Sequence, residues 1–206
     1  MAMAGNANDR LKGYVQDVLA RNAKLRFDFI LQDPDPIRVS TEALPAVAAA
    51  IGLNWIRVRP LSEFKHAAAA AAAYANVADT MHVDTNAPNA AGDAAVFAEG
   101  EVVHEAIHAF FDIYKRSQKL SQASSEAAAY LVQAVFLSDR GFQIPARVGT
   151  YRNIFTEANG LIGRARSGQV LERRDIDSLR RAVIADYQRR FDYDPDKVLT
   201  LGLLPH

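Results

Sequence analysis

Hydrophobic positions change period several times along the chain, and each period predicts an element. Over residues 8–22, Leu11, Tyr14, Val15, Val18 and Leu19 recur at the spacing of one helix face. Residues 25–31 instead alternate, with Leu25, Phe27, Phe29 and Leu31 set against Arg26 and Asp28, which predicts a strand. Asp33-Pro34-Asp35-Pro36 is a turn, because each proline biases its predecessor away from the helical region. Thr41 is placed to cap a second helix running through Ile51 and stopped by Gly52. Residues 55–59, from Trp55 to Arg59, alternate as a second strand that ends at Pro60. The order to this point is helix, strand, helix, strand.

The next stretch supports two readings. Ala67 to Ala73 is an unbroken alanine run, helical by propensity, yet residues 74–84 read as two short strands around a polar turn, the second at 80–84. Residues 85–92 form a loop, and Asp93 is a plausible cap for a long helix whose apolar stripe includes Val103, Ile107, Phe110, Phe111 and Tyr114. Gly100 inside that helix implies close backbone packing or a break, since glycine there costs about 0.5–1 kcal/mol relative to alanine. Further helices are predicted at 126–138, at 147–166 with Gly168 as a stop, and at 175–190 behind an Asp175 cap, with Tyr187, Phe191 and Tyr193 closing the core. The pattern predicts an α+β fold in a single domain, 1–206. A small mixed β-sheet in an N-terminal portion of about 8–84 packs on a mainly helical portion of about 93–206.

Composition narrows the function classes. At 206 residues the chain is long enough for a substantial core. Its 24 basic and 24 acidic residues balance, which argues against nucleic acid or an anionic membrane as the main partner. The eight arginines between Arg164 and Arg190 face four acids, Glu172, Asp175, Asp177 and Asp186, and read as a solvated helix face. No apolar run approaches the roughly 18–20 residues of a membrane span. Met1 to Asn6 has neither the basic start nor the apolar core of a signal peptide, so a cytoplasmic location is the default expectation. Cysteine is absent, so any metal site must use nitrogen and oxygen ligands.

The chemistry concentrates in His104-Glu105-Ala106-Ile107-His108, which holds two of the five histidines. On a helix, His104 and His108 lie on one face a turn apart, where two neutral imidazoles can hold one zinc ion. Glu105 is rotated by about 100° from His104, so it is better placed to take a proton from a metal-bound water than to act as a ligand. A third ligand should come from another direction, and Glu126, 18 residues after His108, lies on the next predicted helix. Ser121, Ser124 and Ser125 offer caps for that helix, and Ala127, Ala128 and Ala129 permit close approach. Asp112 shares the histidines' face but would have to reach back over His108, which suits a supporting role better. The plain alternatives are two core histidines with Glu105 on a solvated edge, and a surface Glu126 favoured in the first turn by the helix dipole.

These residues resemble the gluzincin clan of zinc metallopeptidases, of which thermolysin is the best-known member. The resemblance covers roughly Met81 to Leu137 and rests on His104-Glu105-Ala106-Ile107-His108, Asp112 and Glu126-Ala127-Ala128. It implies a zincin-like fold, zinc held by His104, His108 and Glu126, and Glu105 as general base. It also implies a strand just before the motif helix, here 80–84, whose edge is free to pair with an extended peptide or protein substrate. Two departures stand out. The family's aspartate four residues beyond the third ligand is Tyr130 here, so His104 lacks that partner, and the ligand spacing is slightly short of thermolysin's. The metzincin pattern fails because its third histidine would fall at Tyr114. The expected function is peptide-bond hydrolysis through a zinc-bound water activated by Glu105. The alternatives are a catalytically silent zinc-binding module and a helical interaction domain with a chance motif. Tyr74, His82, Tyr130 and Tyr151 are candidate oxyanion donors, with His82 by default an exposed strand residue.

Overall fold

The computed structural model describes residues 6–64, 71–114, 118–142, 151–190 and 194–200. The first helix, α1 (Ala7–Arg21), is capped by the Asn6 side chain, which accepts from the Asn8 amide, and buries Leu11, Val15, Val18 and Leu19 as its period predicts. Strands β1 (Asp28–Gln32) and β2 (Pro36–Ser40) form an antiparallel hairpin. The chain continues through α2 (Ala43–Gly52), β3 (Arg57–Pro60), β4 (Ala72–Ala75) and β5 (Thr80–Val83) into the long α3 (Gly92–Tyr114). Then come β6 (Lys119–Ser121), α4 (Gln122–Asp139), α5 (Tyr151–Ala165), β7 (Val170–Glu172), α6 (Asp177–Arg190) and β8 (Val198–Thr200).

The class is α+β, but the β-structure is not one sheet confined to the N-terminal half. One sheet has the order β2-β1-β7, a second β3-β5-β4, and β6 pairs with β8. Strand β7 joins β1 in parallel, Leu31 opposite Leu171, so the C-terminal half is not purely helical. Only Leu171 of its three residues is buried, which leaves no alternation for a sequence pattern to show. In the second sheet β5 is central, parallel to β3 on one side and antiparallel to β4 on the other. Strands β3 and β4 are therefore the edges of this sheet, and 80–84 is its centre. The alanine run resolves accordingly: Ala72 and Ala73 extend in β4 rather than coil into a helix, while Ala67 to Ala70 lie outside the described residues.

Several boundaries move for local reasons. Thr41 does not cap α2; its hydroxyl donates to the Phe27 carbonyl at 3.1 Å, closing the end of the hairpin, and α2 follows Glu42 without a side-chain cap. Leu25 and Phe27 are buried but precede β1. Trp55 is exposed, and β3 begins two residues later. Asp93 sits inside the first turn of α3, which opens at Gly92 with a φ of +57°, in the left-handed region open to glycine. Asp175 precedes α6 and accepts from the Glu172 amide at 2.9 Å. The helix start predicted at 147, and the aromatic pair Phe191 and Tyr193, lie outside the described residues.

The core is one buried cluster running from Leu11 to Val183, anchored by Phe27, Phe29, Phe111, Phe136 and Phe155. Gly100 does mark a close approach: a Cβ there would stand 3.2 Å from Leu137 Cδ2 and 3.5 Å from Gln133 Cγ on α4. Among the described residues, no helix is long and apolar enough to cross a membrane.

The arginine-rich stretch is largely compensated by acids: Arg164 pairs with Asp175, Arg166 with Asp139, Arg173 with Asp196, Arg174 with Glu172 and Arg181 with Asp177. Arg180 departs from the expected solvated face. It is buried on α6 with its Nε 3.6 Å from Asp33, itself buried. Asp33 also accepts the hydroxyls of Ser121 and Ser124, and so fixes the first turn of α4. Removing one partner of a buried ion pair leaves a charge without compensation and typically costs about 3–5 kcal/mol. Asp33→Ala would leave Arg180 only the more distant Asp177 and Asp196, each at 3.9 Å, and is expected to lower the free energy of urea unfolding by about 3 kcal/mol. An unchanged transition midpoint would show that the pair does not brace this end of α4.

Candidate metal centre

The motif lies wholly within α3 and is largely buried, because Val102, Val103, Ala106, Ile107, Ala109 and Phe110 bury the helix on both sides of it. The second helix of the site, α4, begins behind Ser121, whose side chain accepts from the Ser124 amide. Contacts run in opposite order along the two helices. Gly100 and Glu101 meet Gln133 and Leu137, whereas His104 and His108 meet Ser125 and Glu126, so α4 returns antiparallel along α3.

That register brings three donor atoms together. His104 Nε2 and His108 Nε2 are 3.2 Å apart, and Glu126 Oε2 stands 3.4 Å from the first and 3.5 Å from the second. Ligand atoms about 2.0–2.1 Å from a tetrahedral zinc stand roughly 3.3–3.4 Å from one another. The triangle thus has the dimensions of three corners of such a site. Both imidazoles present Nε2, so each keeps its ring proton on Nδ1 if it ligates. For His108 that nitrogen has a partner, Ser125 Oγ at 3.0 Å. For His104 it is buried without a hydrogen-bond partner among the described residues, and the Tyr130 ring packs against the imidazole with centroids 4.4 Å apart. Tyr130 thus meets His104 with its ring rather than with a hydrogen-bond acceptor.

Glu105, beside the triangle, reaches the second sheet. Its Oε2 accepts from the Tyr74 amide of β4 at 2.8 Å. The Tyr74 phenol donates to Asp112 at 3.0 Å, which places Asp112 in a supporting contact rather than among the converging donors. His82 is buried, not exposed, because β5 is covered on both faces; its Nδ1 lies 3.2 Å from the Pro60 carbonyl and its ring packs on Phe64. Tyr151 packs on Phe155 and Tyr130. The phenol that reaches the donor triangle is one the sequence reading assigned only to the core: Tyr187 on α6 donates to Glu126 Oε2 at 2.9 Å, and its oxygen is 3.3 Å from that of Tyr130. Its sequence signal is slight, a position one turn after the buried Val183.

Electrostatics reinforce the grouping. Burial alone would raise the Glu126 carboxyl, but the charge of His108 and hydrogen bonds from both histidines hold it well below the usual range. Burial alone would lower His104, yet its hydrogen bond to Glu126 and the charges of Glu105, Glu126 and Glu101 raise it to about 9 in the metal-free site. Burial pushes Glu105 up to about 6, against the pull of the two histidines. Three carboxylates, Glu101, Glu105 and Glu126, thus surround two imidazoles in a site with little solvent. Buried charge of that excess is ordinarily paired or bound to a metal, so the donor set fits a divalent cation held by nitrogen and oxygen.

Compared with known proteins, the chain matches no family model, no curated protein and no solved structure at a significant level. Any function assigned to the centre must therefore follow from its residues.

Proposed function

We propose that the protein is a zinc-dependent metallopeptidase, with His104, His108 and Glu126 holding the ion and Glu105 as general base. The observation that carries this reading is the 3.2, 3.4 and 3.5 Å donor triangle with a half-buried carboxylate on the adjacent helical position. Three protein ligands leave a fourth position open, which is the catalytic arrangement rather than the structural one. A zinc ion bound there would supply a water acidified from about 16 to about 7 and a Lewis acid for a substrate carbonyl.

The chain's own groups do the rest. Glu105, raised to about 6, is close to working pH and can accept the proton of the attacking water, then deliver it to the leaving amine. The Tyr74 amide holds one of its oxygens, which fixes the direction of the other. Tyr187, whose phenol burial keeps protonated, donates to Glu126 and fixes the carboxylate that faces the histidines. The small side chains of Ala72, Ala73 and Ala75 on the edge strand β4 suit an extended peptide lying beside Glu105.

The test is a peptide library incubated with zinc-loaded protein, with and without a chelator. Cleavage that the chelator abolishes and added zinc restores supports the proposal; no cleavage of any peptide would overturn the peptidase assignment. A Tyr187→Phe variant is expected to weaken zinc binding roughly tenfold to a hundredfold, the usual effect of losing a group that orients a ligand. Competitive zinc titration measures it, and an unchanged affinity would remove Tyr187 from the site.

A further inference from the structure

Two buried polar atoms near the centre lack hydrogen-bond partners among the described residues, and they are complementary: His104 Nδ1, a donor when Nε2 ligates, and Gln133 Oε1, an acceptor. Both belong to neighbours of Glu101, a buried carboxylate on α3 one turn before His104. Gln133, two turns after Glu126 on α4, donates its Nε2 to Glu101 Oε1 at 3.0 Å. Burial raises the Glu101 carboxyl, while the charge of His104, the bond from Gln133 and a backbone bond from Ala71 draw it back. Tyr130 fills the space beside the imidazole and offers only its ring there.

Building on the zinc-site reading above, we propose that Glu101, braced by Gln133, is the positioning residue for His104, acting through one buried water. That water accepts from His104 Nδ1–H and donates to Gln133 Oε1 and to Glu101. Three bonds are the usual complement of a buried water, and this one satisfies both unmet atoms at once. The arrangement fixes the proton on Nδ1 and turns Nε2 toward His108 and Glu126, as a carboxylate behind a ligating histidine does. It comes from the motif helix itself, where a turn of α-helix brings residue 101 beside residue 104, and so compensates for the tyrosine at 130. A carboxylate with no such task would have little reason to sit where burial penalises its charge.

The experiment uses the full chain and two measurements, zinc affinity by competition with a chromogenic chelator and the melting temperature of the metal-free protein. Glu101→Gln removes the charge and keeps the shape; Glu101→Leu also removes the acceptor. Zinc affinity is expected to fall about tenfold in the first and about a hundredfold in the second. The metal-free melting temperature of Glu101→Gln should stay level or rise, because burial already disfavours the charge that is removed. Affinities within about twofold of wild type in both variants would overturn the proposal. So would affinity losses that merely track equal losses of metal-free stability, since those mark a packing role. The wild type and His104→Ala, titrated in parallel, separate this from the reading it rests on: wild-type protein that takes up no zinc sinks both, whereas wild-type uptake with unaffected Glu101 variants sinks this one alone.

Discussion

Replacing His104 and His108 by alanine is expected to take the protein from one bound zinc per chain to none. The two imidazole nitrogens, 3.2 Å apart, supply two of the three converging donors. What remains is a single carboxylate held by Tyr187, and one oxygen ligand does not hold zinc at micromolar concentrations. Elemental analysis of dialysed protein reads the difference directly, and equal zinc in both proteins would refute the site. A ligand bound only by the folded state stabilises it by about 4 kcal/mol at a thousand times its Kd. For a chain of this size that raises Tm by on the order of 10 °C, a shift the double variant should lack.

The same site gives the sign of its pH dependence. His104 is raised from 6.5 to about 9 in the metal-free protein, so its protonated form stabilises that protein fully below 6.5, and this contribution is lost as pH rises through about 9. Zinc needs the deprotonated nitrogen, so over the same window its uptake releases a proton and tightens with pH. The zinc-induced increase in Tm should therefore widen from pH 6.5 toward 9. A zinc shift that is flat across this range would mean that His104 does not exchange a proton for the metal.

Glu105→Gln is expected to retain zinc and fold while losing hydrolysis by a factor of about 10²–10⁴, the usual worth of a positioned general base. The amide is nearly isosteric, and its carbonyl oxygen can still accept from the Tyr74 backbone, so the contact that fixes position 105 survives. What it cannot do is accept a proton. Because burial raises the native carboxyl, the metal-free variant should be no less stable than wild type. Cleavage of a library-derived peptide at the wild-type rate by zinc-loaded Glu105→Gln would remove Glu105 as the base; loss of zinc together with loss of activity would instead mark it as a structural residue.

What the sequence disclosed, and what it hid, follows from the range of the interactions. The gathering of His104, His108 and Glu126 was legible because i, i+4 spacing is local geometry and because two helices joined by a short connection tend to return side by side. Helix α1 was legible for the same reason, its four buried residues recurring on one face. Residues whose partners are distant in the chain were misplaced. Thr41 looks like a cap until Phe27 supplies a competing carbonyl. His82 looks exposed until both faces of β5 are covered, with Phe64 packed on its ring. Strand β7 exists only because β1, some 140 residues earlier, offers it an edge. Tyr187 acquires its role from α6 packing against α4, and Arg180 its burial from Asp33, neither of which periodicity encodes.

The central claim is that His104, His108 and Glu126 hold one zinc ion. Diffraction from zinc-soaked crystals, recorded on both sides of the zinc absorption edge, tests it most directly. The account predicts a single strong anomalous peak within the donor triangle, roughly 2.0–2.2 Å from His104 Nε2, His108 Nε2 and a Glu126 carboxylate oxygen, with Asp112 outside bonding distance. A peak bound by Asp112 or His82 while Glu126 points elsewhere, or no peak between the two helices, would contradict it.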